Sequence, residues 1–76
     1  MADQVSADQI QDLVNLVLAK AVDVTRAVDA VTTAHATALA HHHYTAAVRY
    51  SHARQDLQRS REQLMFCADR LQHVTT

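Results

Sequence analysis

Histidine is the residue type in this sequence with the greatest potential for chemistry. Six histidines occur in 76 residues, and four of them lie in the segment ATALAHHHYTAAVRYSHARQ at positions 36–55. An imidazole can bind a metal, act as a general base or gain a proton near neutral pH, because its ordinary pKa is about 6.5. The segment therefore raises four alternatives: a metal site, a catalytic base, a pH-sensitive switch, or the polar residues of a turn.

Histidine spacing does not favour a metal site within one chain. The six are His35, His41, His42, His43, His52 and His73. Ligands on one helix share a face when they are three or four residues apart, and no two of these histidines have that separation. We predict no metal and no cofactor bound by a single chain. A metal shared between chains stays open as an alternative.

The sequence offers no residues in a catalytic arrangement. A phosphate-binding loop requires glycines, and the chain contains none. The single cysteine, Cys67, falls on a repeating apolar position, which predicts a small buried thiol rather than a nucleophile. One cysteine also excludes an internal disulfide and fits a reducing cytoplasm. We therefore expect a protein that is not an enzyme.

Composition predicts an all-α fold. Glycine and proline, which mark turns, are both absent, whereas alanine and other helix-forming residues are abundant. We expect one domain over residues 1–76, with a helix at about 7–40, a turn or register break at about 41–49, and a helix at about 50–74. Ser6 and Gln9 have the spacing of a capping box, and Val5 with Ile10 that of a hydrophobic staple.

Apolar residues in the first helix recur with the alternating spacing of a coiled-coil seam. One seam position is occupied by Ile10, Val17, Val24, Val31 and Ala38. The other is occupied by Val14, Ala21, Val28, His35 and His42. A repeat that continues for more than four heptads predicts a long amphipathic helix.

A second repeat follows, offset by one residue from the first. One of its positions holds Tyr50, Leu57, Leu64 and Leu71, and the other holds Ala53, Ser60, Cys67 and Val74. Two architectures fit the break: a helical hairpin, or one continuous helix of roughly 100 Å. Opposite charge favours the hairpin, because residues 1–40 carry two cations against five aspartates and residues 41–76 carry five arginines against three acids.

Apolar side chains outside the seam predict association between copies. They are Leu13, Leu16, Leu18, Val22 and Leu39 in the first helix, and Met65 and Phe66 in the second. A stripe this wide indicates contact with several neighbours. We predict a homo-oligomer or polymer with Met65 and Phe66 as possible contacts between subunits. Its predicted self-association seam is Ile10, Val14, Val17, Val24, Val28, Val31, Tyr50, Leu57, Leu64 and Leu71.

Two other partners are disfavoured. Four charges interrupt the most apolar run, at positions 13–31, which argues against a membrane span. The five arginines of the second half do not form one stripe, so nucleic-acid binding is not expected. The alternative function is a small homodimeric four-helix regulator or adaptor that binds nucleic acid or a partner protein through the arginine-bearing second helix.

The histidines also predict a response to acid. Lowering the pH from 7 to 5 would add roughly five positive charges to each chain. His35 and His42 fall on seam positions, where a charged imidazole is costly without a partner. The candidates for a pH switch are His35, His42, His41, His43 and His52. The opposing interpretation is that His41 and His43 are polar residues of a turn.

The chain resembles the RebB-type subunits of bacterial R-bodies over roughly residues 8–60. In the first half the similar positions are Ile10, Asp12 and Val14 within QIQDLV, then Lys20, Val22, Ala27 and Val28. In the second half the stretch HHHYTAAVRYSHARQDLQ is similar, with Ala47, Val48, Gln55 and Gln58 in comparable places. The resemblance implies a structural subunit that polymerises with itself, and with related subunits, into a coiled ribbon that extends on acidification and ruptures membranes.

Overall fold

A computed structural model describes residues 6–74, which form a hairpin of two antiparallel α-helices. Helix α1 spans Ala7–Ala40 and helix α2 spans Tyr44–Gln72. The molecule measures 62 × 16 × 14 Å, which excludes a continuous rod of roughly 100 Å. The prediction of an all-α helical hairpin is confirmed. Helix α2 begins earlier than the position near residue 50 that the sequence predicted.

Helix α1 begins at the predicted capping box. The Gln9 backbone N–H donates to Ser6 Oγ at 3.1 Å, and the Ser6 backbone N–H donates to Gln9 Oε1 at 3.1 Å. These two bonds satisfy N–H groups that the first turn of a helix otherwise leaves without partners. The predicted staple with Val5 lies outside the described residues.

A three-residue turn reverses the chain and ends α1 in the manner of a Schellman motif. The His42 backbone N–H donates to the Leu39 carbonyl at 3.1 Å, and that of His43 donates to the Ala38 carbonyl at 2.8 Å. This pattern requires a left-handed residue after the helix cap, usually glycine. Since the chain has no glycine, His42 takes that conformation, with φ at 59°. The turn therefore forms without glycine, the residue by which a Schellman motif is normally recognised in a sequence.

The predicted seam of α1 faces α2. Ile10, Val14, Ala21 and Ala38 are buried. The remaining valines of the stripe are half-buried: Val17, Val24, Val28 and Val31. The α1 repeat therefore supplies the contact within the hairpin, and the role in self-association predicted for the same residues stays a prediction.

The seam of α2 differs from the prediction at Tyr50 and along its second line of residues. Leu57, Leu64 and Leu71 are half-buried as expected, but Tyr50 is 38% exposed. The other inward positions begin at Ala47 and recur every seven residues to Ala68; both of these alanines are buried.

Three residues of the predicted second line, Ser60, Cys67 and Val74, are exposed, and Ala53 is half-buried. The prediction of a buried Cys67 thiol is therefore wrong. Arg54 and Arg61 occupy the two inward positions between Ala47 and Ala68. Because both are charged, the apolar pattern of the sequence did not mark this line of residues as facing α1.

The hydrophobic core is thin and lies toward the open end of the hairpin. Ile10, Val14 and Ala68 form its centre, with Val17, Leu18 and Leu71 packed against them. Val14, at 1% exposure, is the largest side chain that the described residues bury fully. Alanines fill most other buried positions, so the helices approach closely but remove little apolar surface from water.

Candidate self-association surfaces

The hairpin is one layer of two helices, and it presents two broad faces. Because an α-helix has 3.6 residues per turn, the residue after an inward one lies on one flank and the residue before it lies on the other. The two helices run in opposite directions, so the residues that follow inward positions on both helices share one face. A shallow groove confirms this arrangement, because Leu39 of α1 and Tyr44 and Val48 of α2 line it together.

The face formed by the following residues is named the acidic face. Its large apolar members are Leu18, which is half-buried, and the exposed side chains of Val22, Leu39, Tyr44, Val48 and Met65. Its carboxylates are Asp8, Asp29, Glu62 and Asp69. One cation reaches it from an inward position, since Arg61 lines a groove with Glu62 and Met65. The face therefore carries an excess of negative charge.

The face formed by the preceding residues is named the basic face. Its large apolar members are Leu13 and Leu16, exposed by 45% and 65%. Cys67 lies on it, in a groove shared with Val74. Its cations are Lys20, Arg49 and Arg70, against Asp23 and Asp56. Half-buried alanines at positions 27, 34, 46 and 53 keep much of its surface flat.

Phe66 lies at the outer edge of α2, between the two faces. It is 66% exposed and lines grooves on both sides, one with Met65 and one with Cys67. The two residues that the sequence marked as possible intersubunit contacts, Met65 and Phe66, are therefore both exposed to solvent in the single chain. Whether copies meet there stays a prediction.

Three of the histidines form the turn, which corrects the seam position predicted for His42. Helix α1 ends at Ala40, so His42 lies outside the heptad repeat and is exposed. Its Nδ1 lies 2.9 Å from the Tyr44 phenol oxygen. The rings of His41 and His43 lie beside each other, with centroids 6.1 Å apart. The turn thus gathers three titratable rings at one tip of the hairpin.

Of the other histidines, His35 and His52 lie within the helices and His73 caps the end of α2. His35 is half-buried at its seam position, and it lines the groove of Leu39 and Tyr44 together with His52. His73, at the far end, contacts Asp69: its Nδ1 lies 2.7 Å from the carbonyl oxygen and 3.8 Å from Oδ1. His35 is therefore the one histidine of the predicted pair that remains in the helix interface.

Within residues 6–74, no group of three or more His, Cys, Asp or Glu side chains is arranged to hold a metal ion. Over the same residues, no lysine or arginine forms an ion pair with a carboxylate. Among these residues, the opposite charges of the two halves therefore do not act through lysine–carboxylate or arginine–carboxylate contacts across the hairpin. None of the described helices is both long and apolar enough to cross a membrane.

These features define a helical hairpin with apolar side chains on both of its faces. No protein-family model, curated protein or solved structure matches the chain.

Proposed function

We propose that the chain is a non-enzymatic structural subunit that assembles with copies of itself into an open-ended polymer, a pH-responsive ribbon of the R-body type. The observation that carries the proposal is the placement of large apolar side chains. Ten of them are exposed among the described residues, whereas Val14 is the one large side chain that these residues bury fully. Burial of apolar surface is the main driving force of folding and of association, so this surface favours contact with further chains.

Apolar side chains on two faces favour an open assembly over a closed one. A four-helix dimer would cover one face of each hairpin and leave the other exposed. An assembly in which each subunit has a neighbour on both faces covers both, and it continues without a natural end unless the rotation between subunits closes a ring. The resemblance to RebB-type subunits points to the same kind of polymer.

The histidine tip supports the response to acid. His41, His42 and His43 lie together at the turn, and Arg49 lines the same groove as the last two. Protonation of these rings adds positive charge beside an existing cation. In a polymer this charge repeats in every subunit, so repulsion between neighbouring tips would favour a change in their spacing.

Electron microscopy with analytical ultracentrifugation tests the proposal. We expect the purified chain to form very large species at pH 7.5 and these species to change shape at pH 5. Replacing all three tip histidines with glutamine should preserve assembly and reduce the response to acid. Replacing His73 instead is the matched control, since it lies at the other end. A folded monomer at high concentration would exclude the proposal, and a discrete dimer would favour the regulator.

A further inference from the structure

The open half of the hairpin carries an apolar patch on each face. On the acidic face the patch is Leu18, Val22 and Met65. Leu18 packs against the core cluster that contains Ala68, and Val22 and Met65 each lie about one turn nearer the hairpin turn than Leu18 and Ala68 do. On the basic face the corresponding patch is Leu13, Leu16 and Cys67.

The charges beside the two patches are opposite. Glu62 and Asp69 lie three residues before and four residues after Met65 on the acidic face. Such spacings place side chains next to each other on a helix. On the basic face, Lys20 lies four residues after Leu16 and Arg70 lies three after Cys67. One patch is therefore flanked by two carboxylates, with Arg61 beside them in the same groove, and the other by two cations, with Asp23 three residues after Lys20. The first patch keeps an excess of negative charge and the second an excess of positive charge.

We propose that the partner of each acidic face is the basic face of a second copy of the same chain. This inference rests on the proposed self-assembly and adds its polarity: subunits stack front to back, not front to front. Two acidic faces in contact would place like charges together, which disfavours association, whereas acidic on basic is complementary. A front-to-back contact is not closed by a two-fold axis. It extends into a filament or ribbon when the rotation between successive subunits does not close a ring, as the proposed open-ended polymer requires.

The two threonine hydroxyl groups of the acidic face are already satisfied, which eases the burial of this surface. Thr25 donates to the carbonyl of Ala21 at 3.0 Å, and Thr32 donates to that of Val28 at 2.8 Å. A neighbouring subunit that covers these threonines would not leave their hydroxyl groups without hydrogen bonds. Their methyl groups extend the surface available to the flat, alanine-bearing face of the next copy.

Cysteine cross-linking tests this polarity directly, because the native chain carries one exposed thiol on the basic face. The variant Asn15→Cys adds a second thiol on the acidic face at nearly the same level as Cys67. Treated with a short bis-maleimide, assembled Asn15→Cys should give a ladder of covalent dimers, trimers and larger species. The native chain, with Cys67 alone, should give no covalent dimer.

Two controls sharpen the cross-linking result. Ala19→Cys places the added thiol at the outer edge of α1 and should give no ladder. Native chain mixed with Asn15→Cys/Cys67→Ser should give covalent pairs and nothing larger. Dimers of the native chain would show basic faces in contact with each other and would overturn the inference. So would a ladder from Ala19→Cys as strong as that from Asn15→Cys.

Charge reversal gives an independent test. Lys20→Glu/Arg70→Glu makes both faces acidic, and Glu62→Lys/Asp69→Lys makes both basic. Each variant alone should lose assembly by about tenfold or more at low salt, and an equimolar mixture should recover it as alternating subunits. Circular dichroism checks that both remain helical. Unchanged assembly of either variant alone would overturn the inference.

Sedimentation of the untreated native chain separates the two proposals. If it sediments as a monomer, self-assembly itself fails, and the front-to-back contact fails with it. If it sediments as large species while Asn15→Cys gives no ladder, self-assembly stands and the front-to-back contact is wrong.

Discussion

The inward stripes of the two helices differ in composition. Along α1 every inward position of residues 10–31 is aliphatic, from Ile10 to Val31. Along α2 the leucines alternate with a second line in which two alanines enclose Arg54 and Arg61. Helix α1 thus provides a continuous apolar surface, whereas the apolar surface of α2 is interrupted at two inward positions. The hairpin is held by one continuous stripe against one interrupted stripe, and its buried core lies at the open end, beyond the two arginines.

The interruption in α2 has a consequence for assembly. An arginine at an inward position can pack its aliphatic stem while its charged end stays in solvent. Arg54 is half-buried, and Arg61 is exposed in a groove with Glu62 and Met65. These two positions therefore bury less apolar surface than leucine would. A second chain that covers the exposed patches can supply what this interface lacks, so we expect folding and assembly to be coupled.

Disrupting the stronger stripe should have the largest effect. Val14→Asp places a carboxylate at the most buried side chain of the described residues, where no cation is paired with it. Burying an unpaired charge costs several kcal/mol, so we expect loss of helical structure in far-UV circular dichroism at neutral pH. Ala19→Asp, on the exposed edge of the same helix, is the control and should remain folded. Equal losses in both variants would mean that α1 is not held by its inward stripe.

Repairing the weaker stripe should have a smaller, stabilising effect. Arg54 is half-buried at an inward position, and Arg54→Leu replaces it with a side chain that can pack against α1. We expect the free energy of unfolding to rise by about 1 kcal/mol, measured by urea denaturation at fixed protein concentration. Arg59→Leu, at an exposed outer position, should leave stability within about 0.5 kcal/mol of the parent. If both substitutions had the same effect, Arg54 would not lie in the interface.

The same contrast determines what the sequence alone could predict. The capping box at Ser6 and the inward stripe of α1 were predictable, because each follows from local residue types at fixed spacing. The second line of α2 was not, because Arg54 and Arg61 are inward by geometry but charged by composition. A more apolar line lies one residue before these inward positions and consists of Ala53, Ser60 and Cys67. The periodicity therefore indicated the wrong side of α2 as its inward face.

The turn was also only partly predictable. Its place near residue 41 followed from the break in the repeat, but its length did not. A Schellman motif is normally recognised by a glycine, and here a histidine takes the left-handed position. The heptad pattern that placed His42 in the seam continued past the true end of the helix, because periodicity contains no signal for where hydrogen bonding stops. The two broad faces became visible only once the hairpin fixed which residues point inward.

The smallest expected effect on the free energy of unfolding concerns the turn. The same turn carries the three histidines of the proposed response to acid. His42 holds φ at 59°, a conformation that costs a residue with a Cβ about 1 kcal/mol or more. His42→Gly removes this cost but gives more freedom to the unfolded chain, so we expect a net gain of about 0.5 kcal/mol in urea denaturation. His42→Val should instead destabilise by about 1 kcal/mol or more, because a β-branched residue is a genuine outlier at positive φ.

His41→Gly is the matched control: His41 has φ at −98°, so glycine there relieves nothing and should not stabilise. A gain from His41→Gly equal to that from His42→Gly would show that flexibility of the tip, not the left-handed residue, limits the stability of the hairpin.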